Sequence, residues 1–252
     1  MKRILTYGGV ILSFYLLFLV ATIPAAQVYK LVREKIPQVT LYDVSGTIWS
    51  GQADAAVING KPYREFEWTL QLWRIIFGRL EADVTFDNND SWADGKVGVG
   101  LGGDIVVTDL SGQLPAQDVK AFVPKLPAQL DGVFRLALDK VVYSPEDQMV
   151  SYAEGHVDWQ DAAVTVVQKA DIGDFQLDLT TTDGGINGVF SDVNDGPLIV
   201  QGSATLSLDK QYQLDTKLKV RDTSRRDLVQ SLGFLGKKDA QGNVVINQSG
   251  SL

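Results

Sequence analysis

From Val39 to the C-terminus the chain alternates apolar and polar side chains, and this period of two restricts it to a strand-built body. In Phe66-Glu67-Trp68-Thr69-Leu70-Gln71-Leu72 every second residue is apolar. The alternation returns at Leu80, Ala82, Val84 and Phe86, at Phe134, Leu136 and Leu138, at Phe175, Leu177 and Leu179, and at Tyr212 and Leu214. Strands of this kind carry one apolar and one wet face. Turn clusters punctuate them at Asp87-Asn88-Asn89-Asp90, Asp183-Gly184-Gly185, Asp195-Gly196-Pro197 and Leu208-Asp209-Lys210. About ten to twelve strands are expected, arranged as a mostly antiparallel meander or curved sheet.

Helical signals after residue 38 are few and short. One runs from Leu72 to Phe77 and stops at Gly78. A second opens at Pro115, a favoured first helical position, and runs to about Val123. A third spans about Ser224 to Leu232, with Asp222 or Thr223 as its cap and Gly233 at its end. None covers a whole sheet. The apolar strand faces must therefore close on one another or face something outside the chain.

The N-terminus reads differently. Ile4 to Ile23 is a run of twenty uncharged residues, twelve of them Leu, Ile, Val or Phe, preceded by Lys2 and Arg3. As a helix it spans about 30 Å, the thickness of a bilayer core. Those twelve residues favour insertion by roughly 5 kcal/mol before the polar ones subtract. A cleaved secretory signal fits less well, because the run is long for a signal core and a cut after Ala26 places Pro24 where a small residue is needed. The expectation is an uncleaved inner-membrane anchor with a cytoplasmic tip over 1–24, a stalk over 25–37 and a periplasmic, strand-rich body over 38–252. Gly46–Ala53 and Gly155–Ala162 echo each other, each setting a Gly ahead of a Trp and then an Ala. That raises a division into two related halves, about 38–145 and 146–252.

The net charge of −8 is unevenly spread: residues 1–35 carry five Lys or Arg against one Glu. The body is correspondingly acidic, which argues against a nucleic-acid partner. The collar of Lys30, Arg33 and Lys35 suits either anionic headgroups or a solvated linker. The chain has one histidine and no cysteine, so no thiolate chemistry and no paired-imidazole site is available. His156 lies in a strand pattern beside Val157 and Trp159 and reads as structural. Asp192-Val193-Asn194-Asp195-Gly196 brushes the calcium-loop pattern, but Ser203 stands where the bidentate Glu is required. Gly98, Gly100, Gly102 and Gly103 lack phosphate-loop spacing. No catalytic, cofactor-binding or metal-binding residue is expected, and no enzyme.

The tryptophans invite an interface reading alongside packing. Trp73, with Ile75, Ile76 and Phe77 between Arg74 and Arg79, suits a surface that dips into a membrane or seats a partner, or a helix plugging one end of the sheet.

Taken in order, Val44-Ser45-Gly46-Thr47-Ile48-Trp49-Ser50-Gly51, then Trp68-Thr69-Leu70-Gln71-Leu72-Trp73, Gly78-Arg79-Leu80, Leu110-Ser111-Gly112-Gln113-Leu114-Pro115 and the Gly155–Ala163 segment around Trp159 form a recognisable series. Together with the anchor and the length, the series resembles the type II secretion system protein N family, also called general secretion pathway protein N. The candidate interaction or motif residues are Gly46, Trp49, Gly51, Trp68, Trp73, Gly78, Leu114, Pro115 and Trp159. The resemblance implies a non-enzymatic, single-pass inner-membrane accessory subunit that supports export of folded proteins from the periplasm across the outer membrane. Its partners would be other inner-membrane assembly proteins or the outer-membrane secretin. The body is also similar to bacterial AsmA-like membrane-anchored β proteins, some of which handle lipids. This keeps an alternative open: a periplasmic groove whose uncovered strand faces bind phospholipid.

Overall fold

The structure, a computed structural model, describes residues 2–35, 39–58, 60–75, 80–100, 102–121, 128–165, 169–235 and 238–251. Its contacts divide the chain into two compact units, Met1–Asn88 and Asn89–Leu252. Among the described residues the chain is mainly β, with fourteen strands and four α-helices. The extra strands over the sequence expectation are mostly short ones at the start of the body, where two to four residues give the alternation too little length to register.

The first unit begins with helix α1 (Lys2–Ala21) and helix α2 (Ala25–Val32). Its strands are β1 (Val39–Tyr42), β2 (Ser45–Gly46), β3 (Ser50–Ile58), β4 (Lys61–Leu70) and β5 (Leu80–Asp87). They pair antiparallel in the order β1-β3-β4-β5, and β2 also pairs with β3. A short helix, α3 (Leu72–Ile75), separates β4 from β5. Residues 76–79 lie outside the described set, and with them Gly78 and the end of the expected helix. On β4 the burial alternates as the sequence predicts, with Phe66, Trp68 and Leu70 half-buried and Glu67 and Thr69 exposed.

Every described side chain of α1 from Ile11 to Val20 is exposed, at 45–71% for its large apolar residues. Among the described residues no helix is long and apolar enough to cross a membrane. The expected span from Ile4 to Ile23 falls partly outside that set, because the side chains of 4–6 and 8–10 are not described. The helix itself ends at Ala21, and Thr22 and Ile23 form its exit.

The second unit is a nine-strand antiparallel meander. Its strands are β6 (Trp92–Val99), β7 (Ile105–Pro115), β8 (Gln129–Ser144), β9 (Met149–Thr165), β10 (Lys169–Thr182), β11 (Gly185–Val193), β12 (Leu198–Leu206), β13 (Gln211–Val220) and β14 (Val244–Ser251). Within the unit each pairs with its sequence neighbours. Directly paired residues share a face, so the registers sort the side chains into two sets. Leu136, Val157, Leu177 and Phe190 form one apolar row, and Leu114, Phe134, Trp159 and Phe175 another on the same side. The opposite face carries Arg135, Asp158, Gln176, Ser191, Gln201 and Lys217 in a single row.

Helix α4 (Arg226–Leu235) packs on one end of the apolar face. Leu228 and Leu232 join Leu198, Val220 and Val244 in a buried cluster. Away from α4 the apolar rows are only half-buried.

Two helix expectations need correction. Pro115 does not open a helix: it closes β7 opposite Val133, and a 3-10 turn runs over Ala116–Ala121 instead. The ladder to β8 holds the backbone extended through Leu114, and proline is tolerated at a strand end where no further ladder donor is needed. The third helix starts later and ends later than its cap signals imply. Asp222 accepts hydrogen bonds from the Ser224 backbone and hydroxyl and so caps a turn ahead of α4. These two donors hold its carboxyl below the usual carboxylate range. Gly233 lies inside the helix, where burial of Leu228 and Leu232 outweighs the ~1 kcal/mol a helical glycine costs.

Candidate functional site

Four of the nine sequence-selected residues, Gly46, Trp49, Gly51 and Trp68, meet at one place: the joint between the N-terminal helices and the first β unit. A helix end leaves carbonyls without partners. At the end of α1 the Thr22 hydroxyl donates to the Phe18 carbonyl at 2.8 Å. The indole Nε1 of Trp49 donates to the Val20 carbonyl at 2.8 Å, from 29 positions along the chain. The Ile48 amide donates to the Ile23 carbonyl at 3.1 Å, and Pro24 forms an antiparallel bridge with Thr47. Helix α2 then starts directly after Pro24, which is extended and cannot continue α1. Farther along, the Leu41 amide donates to the Tyr29 hydroxyl at 2.8 Å, so α2 is fastened to β1 as well.

The turn that presents Trp49 is built from its neighbours. Thr47 and Ser50 close it through Thr47 N to Ser50 O at 2.9 Å and Ser50 N to Thr47 Oγ1 at 3.2 Å. Gly46 sits at φ +81°, where an added Cβ would lie 2.7 Å from the Ser50 carbonyl oxygen. Gly51 leaves room for the Trp68 ring, which lies directly over it. Trp68 in turn donates its Nε1 to the Ile48 carbonyl at 3.2 Å, and the Leu70 amide donates to the Trp49 carbonyl at 2.6 Å. Each glycine is therefore needed by a specific close approach. One indole holds the turn while the other reaches the helix. A polar depression lined by Ser45, Gln52, Glu67 and Thr69 flanks the turn on β2, β3 and β4.

The remaining candidates lie elsewhere. Trp73 falls in α3, but its side chain is outside the described set. Its neighbours anchor that helix to β5: Arg74 Nη1 pairs with Glu81 Oε2 at 2.7 Å, and Gln71 Nε2 donates to Asp83 Oδ2 at 2.7 Å. Leu114 and Trp159 belong to the apolar row of the second unit, where Trp159 stacks between Phe134 and Phe175 at centroid distances of 5.3 and 6.0 Å. Its Nε1 donates to the Asp131 carbonyl at 2.9 Å. Pro115 ends β7 beside this row. Asp192 and Asp195, from the calcium-like segment, both face the Arg221 guanidinium, at 2.8 and 3.5 Å. Sequence reading missed Thr22 and Tyr29 as parts of the joint. The signal for Thr22 was its place four residues after Phe18 at the end of an apolar helix.

The family model for type II secretion system (T2SS), protein N, matches residues 37–247, from just before β1 to the middle of β14. The chain belongs to that family. It is thereby a component of type II secretion, a protein-transport machinery. It is 28% identical over 260 residues to the type II secretion system protein N of Vibrio cholerae serotype O1, with all of both chains covered. It is also 28% identical over 256 residues to the protein N of Aeromonas hydrophila, again across both full chains. No solved structure matches.

Proposed function

We propose that this protein N is a non-enzymatic accessory subunit of the type II secretion apparatus, tethered in the inner membrane through α1 with its N-terminus in the cytoplasm and its β units in the periplasm. The joint carries this reading. A helix whose described apolar side chains are exposed from Ile11 to Val20 is stitched to a β unit by Trp49, Ile48 and Thr47. Such a helix needs an apolar surrounding, and Lys2 and Arg3 favour a cytoplasmic tip. The β units would act by contact with other inner-membrane assembly proteins or the secretin. A single histidine and no cysteine leave little catalytic chemistry to draw on.

Two measurements test this. Protease added to spheroplasts should digest the β units and spare α1, and a deletion strain should export its substrates poorly. Full protection, or normal export together with no crosslink to any secretion protein, overturns the proposal. Trp49→Ala should loosen the joint by removing both the indole donor and its ring. Proteolysis around Thr22–Pro24 is expected to rise while the β units stay folded, and export to fall. Wild-type export with a visibly loosened joint would separate tethering from rigid coupling.

A second reading is favoured by the half-buried rows of the second unit: a face that binds the acyl chains of phospholipid. Its residues offer apolar area without hydrogen-bonding demands, at about 25 cal/mol per Å² covered. A photoreactive residue at Leu177, on the apolar face, should then capture phospholipid in cells. One at the adjacent Gln176, on the opposite face, should not. Equal or no capture removes this reading.

A further inference from the structure

Among the described residues β14 ends the strand order, and its outer edge is unprotected. A strand at a sheet edge exposes unpaired N–H and C=O groups, and proteins commonly blunt it with Lys, Pro, bulges or very short length. β14 has eight residues, none of them charged and none proline. It pairs with β13 in unbroken register from Val244 to Ser251. Among the described residues only its first residue is covered on the far side, by an isolated bridge from Lys238. That bridge belongs to a tight turn organised by Asp239, which accepts from the backbone amides of Gln241 and Asn243 and from the Asn243 side chain. Val245 to Ser251 therefore form the open edge, and all seven are half-buried or exposed.

We propose that this edge pairs with the same edge of a second copy of the chain, as a two-fold antiparallel strand pair centred on Gln248. Three observations select a second copy and this register. The edge carries no charge, so two copies meet without the like-charge repulsion that opposes self-pairing elsewhere in an acidic chain. Centring on Gln248 uses the whole open span and nothing more: Val245 faces the partner's Ser251, Ile246 the partner's Gly250, and Asn247 the partner's Ser249. A register moved to Asn247 would call on Val244, whose outer side Lys238 already occupies. A shift by half that step would set the apolar face of one sheet against the polar face of the other.

The side chains complement each other in that register. Gly250 has no side chain, and the ring of Tyr212 lies across it from β13, so close that an added Cβ would be 2.8–2.9 Å from ring atoms and hydroxyl. The Ile246 side chain of one copy gains the apolar surface of that Tyr212 ring, which is 37% exposed in the single chain. On the polar side the Asn247 amide nitrogen is held by Asp215 Oδ1 and the Ile246 carbonyl, each at 3.1 Å, so its oxygen is left to accept from the partner's Ser249 hydroxyl, and the two Gln248 amides meet at the axis. Each residue contacts its counterpart reciprocally, as a two-fold interface requires.

The test uses the full chain in membranes, with two differently tagged copies. The chain has no cysteine, so Gln248→Cys introduces a single thiol. It should form a disulfide-linked dimer under mild oxidation, whereas Asp209→Cys, in an exposed turn, should not. Gln248→Lys and Gln248→Glu alone should each reduce co-purification of the two tags several-fold, because like charges then stand opposed. Combining one copy of each should restore it. Gln248 is exposed, so circular dichroism should be unchanged in both variants. The proposal is overturned if Gln248→Cys dimerises no better than Asp209→Cys, if its thiol is captured instead by a different protein, or if co-purification ignores the charges.

Discussion

Replacing Gly51 with alanine is expected to unfold the joint of the first unit, at a cost of about 3–4 kcal/mol. The new Cβ would overlap the Trp68 ring and approach the Ser45 and Thr47 carbonyl oxygens to 2.8 and 2.9 Å. The ring can swing aside. The two carbonyls cannot, because Ser45 is paired to Gln52 in the β2–β3 ladder and Thr47 is bridged to Pro24. Moving the ring also breaks the Trp68 bond to the Ile48 carbonyl, and with it the support of the segment that holds Ile23. The expected result is rapid hydrogen exchange at Thr47, Ile48 and Leu70, and loss of export. Gly60→Ala is the control. Gly60 has φ +84° but nothing within 4 Å of an added Cβ, so it should cost only the left-handed penalty of about 1–2 kcal/mol. If Gly51→Ala is no worse than Gly60→Ala, the close approach of Trp68 is not what the glycine serves.

This contrast shows which parts of the structure the amino-acid pattern announces. The alternation on β4 appears directly in the burial of Phe66, Trp68 and Leu70, because a half-buried antiparallel strand has little else to record. On β5 it is lost: Glu81 and Asp83 are as covered as their apolar neighbours. Arg74 and Gln71 lie over that polar side, and an ion pair to Glu81 and an amide hydrogen bond to Asp83, rather than apolar contact, do the covering. No periodicity encodes such a contact. Pro115 misleads for a related reason, since proline suits a strand end as well as a first helical turn, and the ladder to β8 decides. The glycines and tryptophans of the joint were conspicuous by type and order. Their meeting point was not, because a bond from Trp49 to Val20 depends on where the chain reverses after α1. An orphan carbonyl at a helix end states a need for a donor without naming one.

Leu228→Ala is expected to cost about 4 kcal/mol in the second unit, within the 2–5 kcal/mol range for deleting a buried leucine side chain. The position is 2% exposed and packs among Leu198, Val220, Leu232 and Val244. Three of these partners stand on β12, β13 and β14, whose registers are continuous and leave the strands little freedom to collapse into a cavity. The lost area also matters more here than in an ordinary domain. Helix α4 is the one α-helix described in this unit, and its cluster is where the apolar face becomes buried. Freed of its anchor, α4 should detach before the meander melts, because strand pairing from β6 to β12 does not depend on it. Hydrogen exchange should accordingly rise first along α4 and the β13–β14 pair, while β8 and β9 remain protected. Leu208→Ala, in a turn and 58% exposed, should change neither. Uniform loss of protection across all nine strands would mean that the cluster under α4 nucleates the whole sheet. Unchanged protection would mean that α4 is held by something other than Leu228.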